Sequence, residues 1–120
     1  MSKIVVCDDS YSELQIIEGY LKAANHTVVT YPNSDKLEDK LVMEKPDLVI
    51  LDVVMPGRNG FQACRDLKSD DRFKHIPVVL CTSKGQDSDK FWGEQQGANG
   101  YVVKPFKAEE LLAAVKRAIH

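Results

Sequence analysis

Short apolar runs alternate with helical spacing along the whole chain. The runs are Ile4-Val5-Val6-Cys7, Val28-Val29, Leu48-Val49-Ile50-Leu51, Val78-Val79-Leu80-Cys81 and Tyr101-Val102-Val103. They are rich in β-branched residues and mostly continuous, which suits parallel strands covered on both faces. Five helices are predicted between and after them. Ser10 opens the first, with Glu13 as its capping-box partner and Leu14, Ile17 and Leu21 as the apolar face. The second runs from about Ser34 to Glu44, with Leu37 and Leu41 inward and Pro46 preventing continuation. The third starts after Asn59, with Gln62 in the capping-box position and Phe61, Cys64 and Leu67 on one face. The fourth spans about Asp87 to Gln96, and Gly97 is a natural C-terminal cap. The fifth spans about Ala108 to Ile119, carries Leu111, Leu112, Val115 and Ile119 on one stripe, and lacks a strong cap at Lys107.

Strand–helix units in this order, joined by right-handed crossovers, predict an α/β fold: a five-stranded, doubly wound parallel sheet with helices on both faces. The common strand order for that number is the flavodoxin-like 2-1-3-4-5, with a ligand crevice at the carboxyl ends of strands one and three. The chain, residues 1–120, reads as one domain without linker, repeat or low-complexity stretch.

The carboxyl ends of the predicted strands concentrate chemistry at that crevice. Strand one ends in Asp8-Asp9, strand three in Asp52, strand four in Thr82-Ser83 and strand five in Lys104-Pro105. Clustered carboxylates raise each other's pKa, and a hard divalent cation relieves the repulsion. Mg²⁺ prefers oxygen ligands and keeps several waters, which leaves room for a phosphoryl group. An aspartate can act as a nucleophile toward phosphorus. Asp52 is the best candidate, since the adjacent Asp8 and Asp9 naturally serve the metal. Lys104 can offset added negative charge, and Thr82 can donate to a phosphoryl oxygen. The turn-rich segment Val53-Val54-Met55-Pro56-Gly57-Arg58-Asn59-Gly60 can hold a backbone carbonyl toward the metal.

Composition narrows the classes. Net charge is −2 with both signs spread along the chain, so no nucleic acid or anionic membrane is implied as a partner. No apolar run approaches the roughly 20 residues of a membrane span, and the amino end lacks a signal-peptide layout, so a cytoplasmic location is expected. Cys7, Cys64 and Cys81 are too few and too scattered for a disulfide framework or zinc site. Cys7 and Cys81 read as small core residues, while a helix face could expose Cys64 for redox chemistry. His26, His75 and His120 read as surface or turn residues away from the crevice.

Asp8-Asp9, Asp52 with Met55-Pro56 and Gly60, Thr82-Ser83 and Lys104-Pro105-Phe106 together resemble the CheY-like receiver domain of two-component response regulators, over the whole chain. The resemblance implies that Asp52 is the phosphoacceptor, with a histidine kinase as phosphodonor. It implies Mg²⁺ held by Asp9 and Asp52, by the Val54 carbonyl, and by Asp8 through water. Thr82 and Lys104 would contact the phosphoryl group, and Thr82 and Tyr101 would form the switch. It further implies a cis Lys104-Pro105 bond, limited self-phosphorylation and self-dephosphorylation, and a protein-binding surface on the fourth helix, fifth strand and fifth helix. Thr82-Ser83-Lys84-Gly85, Trp92-Gly93, Gln96-Gly97-Ala98 and the Lys104-Pro105-Phe106 end look like single-domain receivers of type IV pilus and phototaxis systems. An alternative from the enzyme class is an Mg²⁺-dependent aspartyl-phosphate phosphatase. Such enzymes place a second acid two residues after the nucleophile, where this chain has Val54. A third alternative is a pseudo-receiver that only binds partners.

Overall fold

The computed structural model describes residues 1–119. Its elements are β1 (Lys3–Cys7), α1 (Tyr11–Ala23), β2 (Thr27–Tyr31), α2 (Leu37–Glu44), β3 (Leu48–Leu51), α3 (Gly60–Lys68), β4 (Val78–Thr82), α4 (Asp87–Gln95), β5 (Gly100–Val103) and α5 (Ala108–Ile119). The strands form one parallel sheet in the order β2-β1-β3-β4-β5, as the alternation predicts.

The continuous apolar runs serve two cores at once. Successive side chains of a strand point to opposite faces. Val5, Cys7, Val49, Leu51, Val78 and Leu80 therefore meet Leu37 and Leu41 of α2 and Ala63, Cys64 and Leu67 of α3 on one face. Ile4, Val6, Leu48, Ile50, Val79 and Cys81 meet Leu14, Ile17 and Leu21 of α1 and Leu111 and Val115 of α5 on the other. The central strands β1, β3 and β4 are almost wholly buried, while the edge strands β2 and β5 are only half-buried.

Helix ends depart from the local signals in instructive ways. Ser10 Oγ accepts the Glu13 N–H at 3.4 Å, but the Ser10 N–H donates to Asp8 Oδ1 at 2.9 Å, so only half the expected capping box forms. Asn59 Oδ1 accepts the Gln62 N–H at 2.9 Å, while the Gln62 amide donates to Asp66 instead of turning back. The second helix begins at Leu37, three residues later than expected from Ser34. Ser34 is no cap: its buried hydroxyl donates to the Arg58 carbonyl at 2.7 Å, and Lys36 adopts a left-handed conformation (φ 52°) before the helix. The start of α5 is closed by Glu110, whose carboxylate accepts the Lys107 N–H at 3.1 Å.

Cys64 is fully buried, like Cys7 and Cys81, which removes the exposed thiol that a redox role needs. Burial pushes its thiol up to about 11. Its Sγ donates to the Gln96 carbonyl at 3.5 Å. His26 and His75 precede β2 and β4, at the amino ends of the strands, and His120 lies outside the described residues. The Lys104-Pro105 bond is cis. Among the described residues, no helix is long and apolar enough to cross a membrane.

Candidate functional site: an acidic corner at the carboxyl ends of β1 and β3

Strand register assembles the corner. Cys7 of β1 lies opposite Leu51 of β3, so the residues that follow, Asp8 and Asp52, leave the sheet side by side. The Asp52 N–H donates to the Cys7 carbonyl at 2.9 Å and the Asp8 N–H to the Tyr31 carbonyl at 3.1 Å, which fixes both backbones. On the far side Thr82 pairs with Val103, and the Lys104 N–H donates to the Thr82 carbonyl at 2.9 Å. The ladder thus delivers carboxylates, hydroxyl and ammonium to one rim from separate segments.

Ligand oxygens of Asp8, Asp9 and Asp52 all lie within 4.8 Å of one another. Asp8 and Asp52 are buried (1% and 8% exposed), whereas Asp9 faces solvent. Lys104 Nζ donates to Asp8 Oδ2 at 2.5 Å and to Asp52 Oδ2 at 3.2 Å. Burial raises the Asp8 carboxyl above the ordinary aspartate value, against the hydrogen bonds it accepts from Lys104 and Ser10. Burial pulls Lys104 the other way, but its hydrogen bond to Asp8 and the Asp52 and Asp8 charges outweigh it, and its ammonium is held above the ordinary lysine value. Three carboxylates against one ammonium leave the corner net negative. An oxygen-only donor set, one member open to solvent, fits a hard divalent cation that keeps part of its water.

The β3–α3 loop closes the corner. The Val54 N–H donates to Asp52 Oδ1 at 3.2 Å and the Gly60 N–H to the Val53 carbonyl at 2.9 Å. Met55 is buried beneath the loop, while the Val54 side chain is exposed. Thr82 is fully buried, and its Oγ1 accepts the Lys84 N–H at 3.4 Å. The Tyr101 hydroxyl donates to the Lys84 carbonyl at 2.6 Å, tying β5 to the β4–α4 loop. Of the residues singled out from sequence, Asp8, Asp9, Asp52, Val54, Thr82 and Lys104 meet at this corner, while Tyr101 stands on β5 and reaches only the β4–α4 loop beside it.

Trp92 is different. It is half-exposed and lines a groove with Arg65, Lys68 and Gln96 between α3 and α4. Sequence reasoning also missed the partners of Arg58. Its guanidinium donates to Glu38 at 2.8 and 2.9 Å, to Asp66 at 3.0 Å and to the Ser34 carbonyl at 2.9 Å. The contacts to Glu38 and Ser34 span twenty or more residues and leave no local signal.

A doubly wound parallel sheet thus carries clustered acids at its winding reversal, with a hydroxyl from β4 and a lysine from the end of β5 brought up to them. The chain belongs to the response regulator receiver domain family, whose pattern matches residues 4–116. It is 40% identical over 119 residues to Protein PilH of Pseudomonas aeruginosa, covering 99% of this chain and 98% of PilH. Among solved structures it is similar to chemotaxis protein CheY4 of Vibrio cholerae (TM-score 0.90, 30% identity, 98% of both chains). It is also similar to the BeF3-activated N-terminal receiver domain of RstA from Klebsiella pneumoniae (TM-score 0.90, 34% identity, 98% of both chains).

Proposed function

We propose that this receiver is a phospho-switch that takes a phosphoryl group on Asp52 from the phosphohistidine of a partner histidine kinase. The observation that carries the reading is the Asp52 carboxylate, held within 4.8 Å of the Asp8 and Asp9 carboxylates and 3.2 Å from Lys104 Nζ. A carboxylate oxygen of Asp52 attacks phosphorus, the P–N bond to the kinase histidine breaks, and the electron pair stays on the imidazole nitrogen. Asp9 and Asp52 would hold Mg²⁺ directly, with the Val54 carbonyl, and Asp8 through water. Bound there, Mg²⁺ neutralises charge on the transferring group. Lys104, already between Asp8 and Asp52, is placed to pair with a phosphoryl oxygen. The buried Thr82 hydroxyl would turn to donate to the same group. Limited self-phosphorylation from small donors and self-dephosphorylation belong to this reading.

Output follows from the two loops the phosphoryl group would reach. Moving Thr82 disturbs the 82–84 turn, and the Tyr101 hydroxyl is bound to that turn. The equilibrium between outward and inward Tyr101 then shifts, changing the surface of α4, β5 and α5. That surface would bind a downstream protein in the cytoplasm. Phe91, 61% exposed on α4, gives it an apolar contact. Likeness to PilH and to a chemotaxis protein supports a place in pilus-based motility, chemotaxis or phototaxis signalling. Nothing in the site favours the phosphatase reading, because the position two after Asp52 offers Val54 and no acid.

The test is phosphorylation by acetyl phosphate with Mg²⁺, followed by intact-mass measurement. One phosphoryl group is expected on the parent and none on Asp52→Asn. Undiminished labelling of that variant overturns the assignment.

A further inference from the structure

Loop 53–59 carries the backbone that sits over the acidic corner, yet most of it is exposed: Val54, Pro56, Gly57 and Asn59 all face solvent. Inside, it is tied down by Gly60 N–H to Val53 carbonyl and by the buried Met55. Outside, the Arg58 side chain holds it. The Arg58 guanidinium forks onto Glu38 of α2 through two hydrogen bonds and reaches Asp66 of α3 through a third. The same residue exchanges bonds with the β2–α2 loop in both directions. Arg58 Nη2 donates to the Ser34 carbonyl at 2.9 Å, and the Ser34 hydroxyl, only 1% exposed, donates to the Arg58 carbonyl at 2.7 Å. Both hydrogen bonds to Glu38 raise the guanidinium above its ordinary value against burial, as expected for a held pair.

We propose that Arg58 is a positioning residue: it clamps loop 53–59 between α2 and α3 and thereby sets the affinity of the acidic corner for a divalent cation. Arg58 touches none of the three acids in the corner, so it acts through the loop that carries Val54. The inference rests on the reading that the corner binds Mg²⁺. A planar fork is required, because one guanidinium must satisfy a carboxylate through two nitrogens and still reach a second carboxylate and a carbonyl. The clamp also makes α2 sensitive to the state of the site. Any rearrangement of loop 53–59 must move or break the Ser34–Arg58 exchange at the mouth of α2.

Sign separates positioning from charge. Arg58 is a cation on a loop beside a net-negative corner. If charge alone mattered, removing it would tighten Mg²⁺ binding. If it positions the loop, removing it weakens binding, by roughly tenfold as for other residues that orient a metal site from outside.

The test is calorimetric Mg²⁺ titration of the unphosphorylated protein. Arg58→Ala is expected to bind roughly tenfold more weakly, and Arg58→Lys, which keeps the charge and loses the fork, to stay close to Arg58→Ala. Ser34→Ala leaves charge and fork intact and removes only the hydroxyl-to-carbonyl half of the loop-to-loop exchange; it is expected to weaken binding by a smaller factor. This neutral variant carries the test if Arg58→Ala does not unfold cooperatively in urea. Unchanged or tighter Mg²⁺ binding in Arg58→Ala, or parent-like binding in both Arg58→Lys and Ser34→Ala, overturns the clamp. A parent that binds no Mg²⁺ overturns instead the metal reading beneath it.

Discussion

Lys104 stands between Asp8 and Asp52, and this arrangement is a compromise between folding and chemistry. One ammonium cannot neutralise two buried carboxylates and a third beside them. The residual cost shows in Asp8, whose carboxyl is raised mainly by burial. A carboxyl with a folded-state pKa above its unfolded value of about 3.9 binds its proton more tightly in the folded protein. Its stabilising contribution is complete below the unfolded value and is lost as pH rises through the folded one. At pH 7 the ionised Asp8 is therefore a liability. In chelator, Asp8→Asn is expected to unfold in urea at a higher midpoint than the parent at pH 7, by about 1–2 kcal/mol, a typical size for a single substitution. The gap should close as pH falls through the raised folded-state value toward the unfolded value of about 3.9, below which Asp8 is neutral in both states. An equal or lower midpoint for the variant at pH 7 contradicts the assigned direction. The same excess of negative charge is what a divalent cation would relieve.

At the scale of elements, the corner depends on how closely α3 abuts the end of β3. A Cβ built on Gly60 would lie 2.1 Å from the Asp52 carbonyl oxygen and 2.8 Å from its carbon. Both are backbone atoms, so no side chain can yield. Gly60→Ala is expected to cost about 2–3 kcal/mol of stability, the upper range for single substitutions, and to weaken labelling of Asp52 by moving its backbone. Gly19→Ala in α1 is the contrast. Nothing lies within 4 Å of its added Cβ, and it should stabilise by about 0.5–1 kcal/mol through helix propensity. Urea titration of both checks the pair, and a Gly60→Ala as stable as the parent removes close approach as the reason for glycine. Why some elements are legible in sequence and others not follows from the same distinction between local and distant partners. The strands and α5 are set by periodicity that each segment carries within itself, and register then brings Asp8 beside Asp52 without further information. The start of α2 is set by Arg58, more than twenty residues away, which takes the hydroxyl of Ser34 that a local reading assigns to a helix cap. The halved capping boxes have a local origin instead: Asp8, two residues before Ser10, claims its N–H, and Asp66, four residues after Gln62, claims its amide.

For the whole molecule, the sheet is the rigid member between two cores, and the acidic corner lies at one end of it, where β1 and β3 leave both cores together. A ligand held there adds to the stability of the entire fold, because the corner exists only when the register of β1, β3 and β4–β5 exists. A cation that binds the folded chain and not the unfolded one stabilises it by mass action, about 2.7 kcal/mol at a hundred times its Kd. For a domain of this size that corresponds to a rise in Tm on the order of 10 °C. Saturating Mg²⁺ should produce such a rise in the parent, and chelator should reverse it. Asp9→Ala should lose most of it, since Asp9 is the solvent-facing carboxylate of the set and no ion pair among the described residues engages it. Trp92 lines a separate groove with Arg65 and Lys68, so its emission should change little on Mg²⁺ binding while the melting temperature moves. That pairing matters: a large Trp92 response accompanying the rise in Tm would place the cation at α3 and α4 instead. A full Mg²⁺-dependent rise in Asp9→Ala would likewise remove the carboxylates of the corner as the binding site.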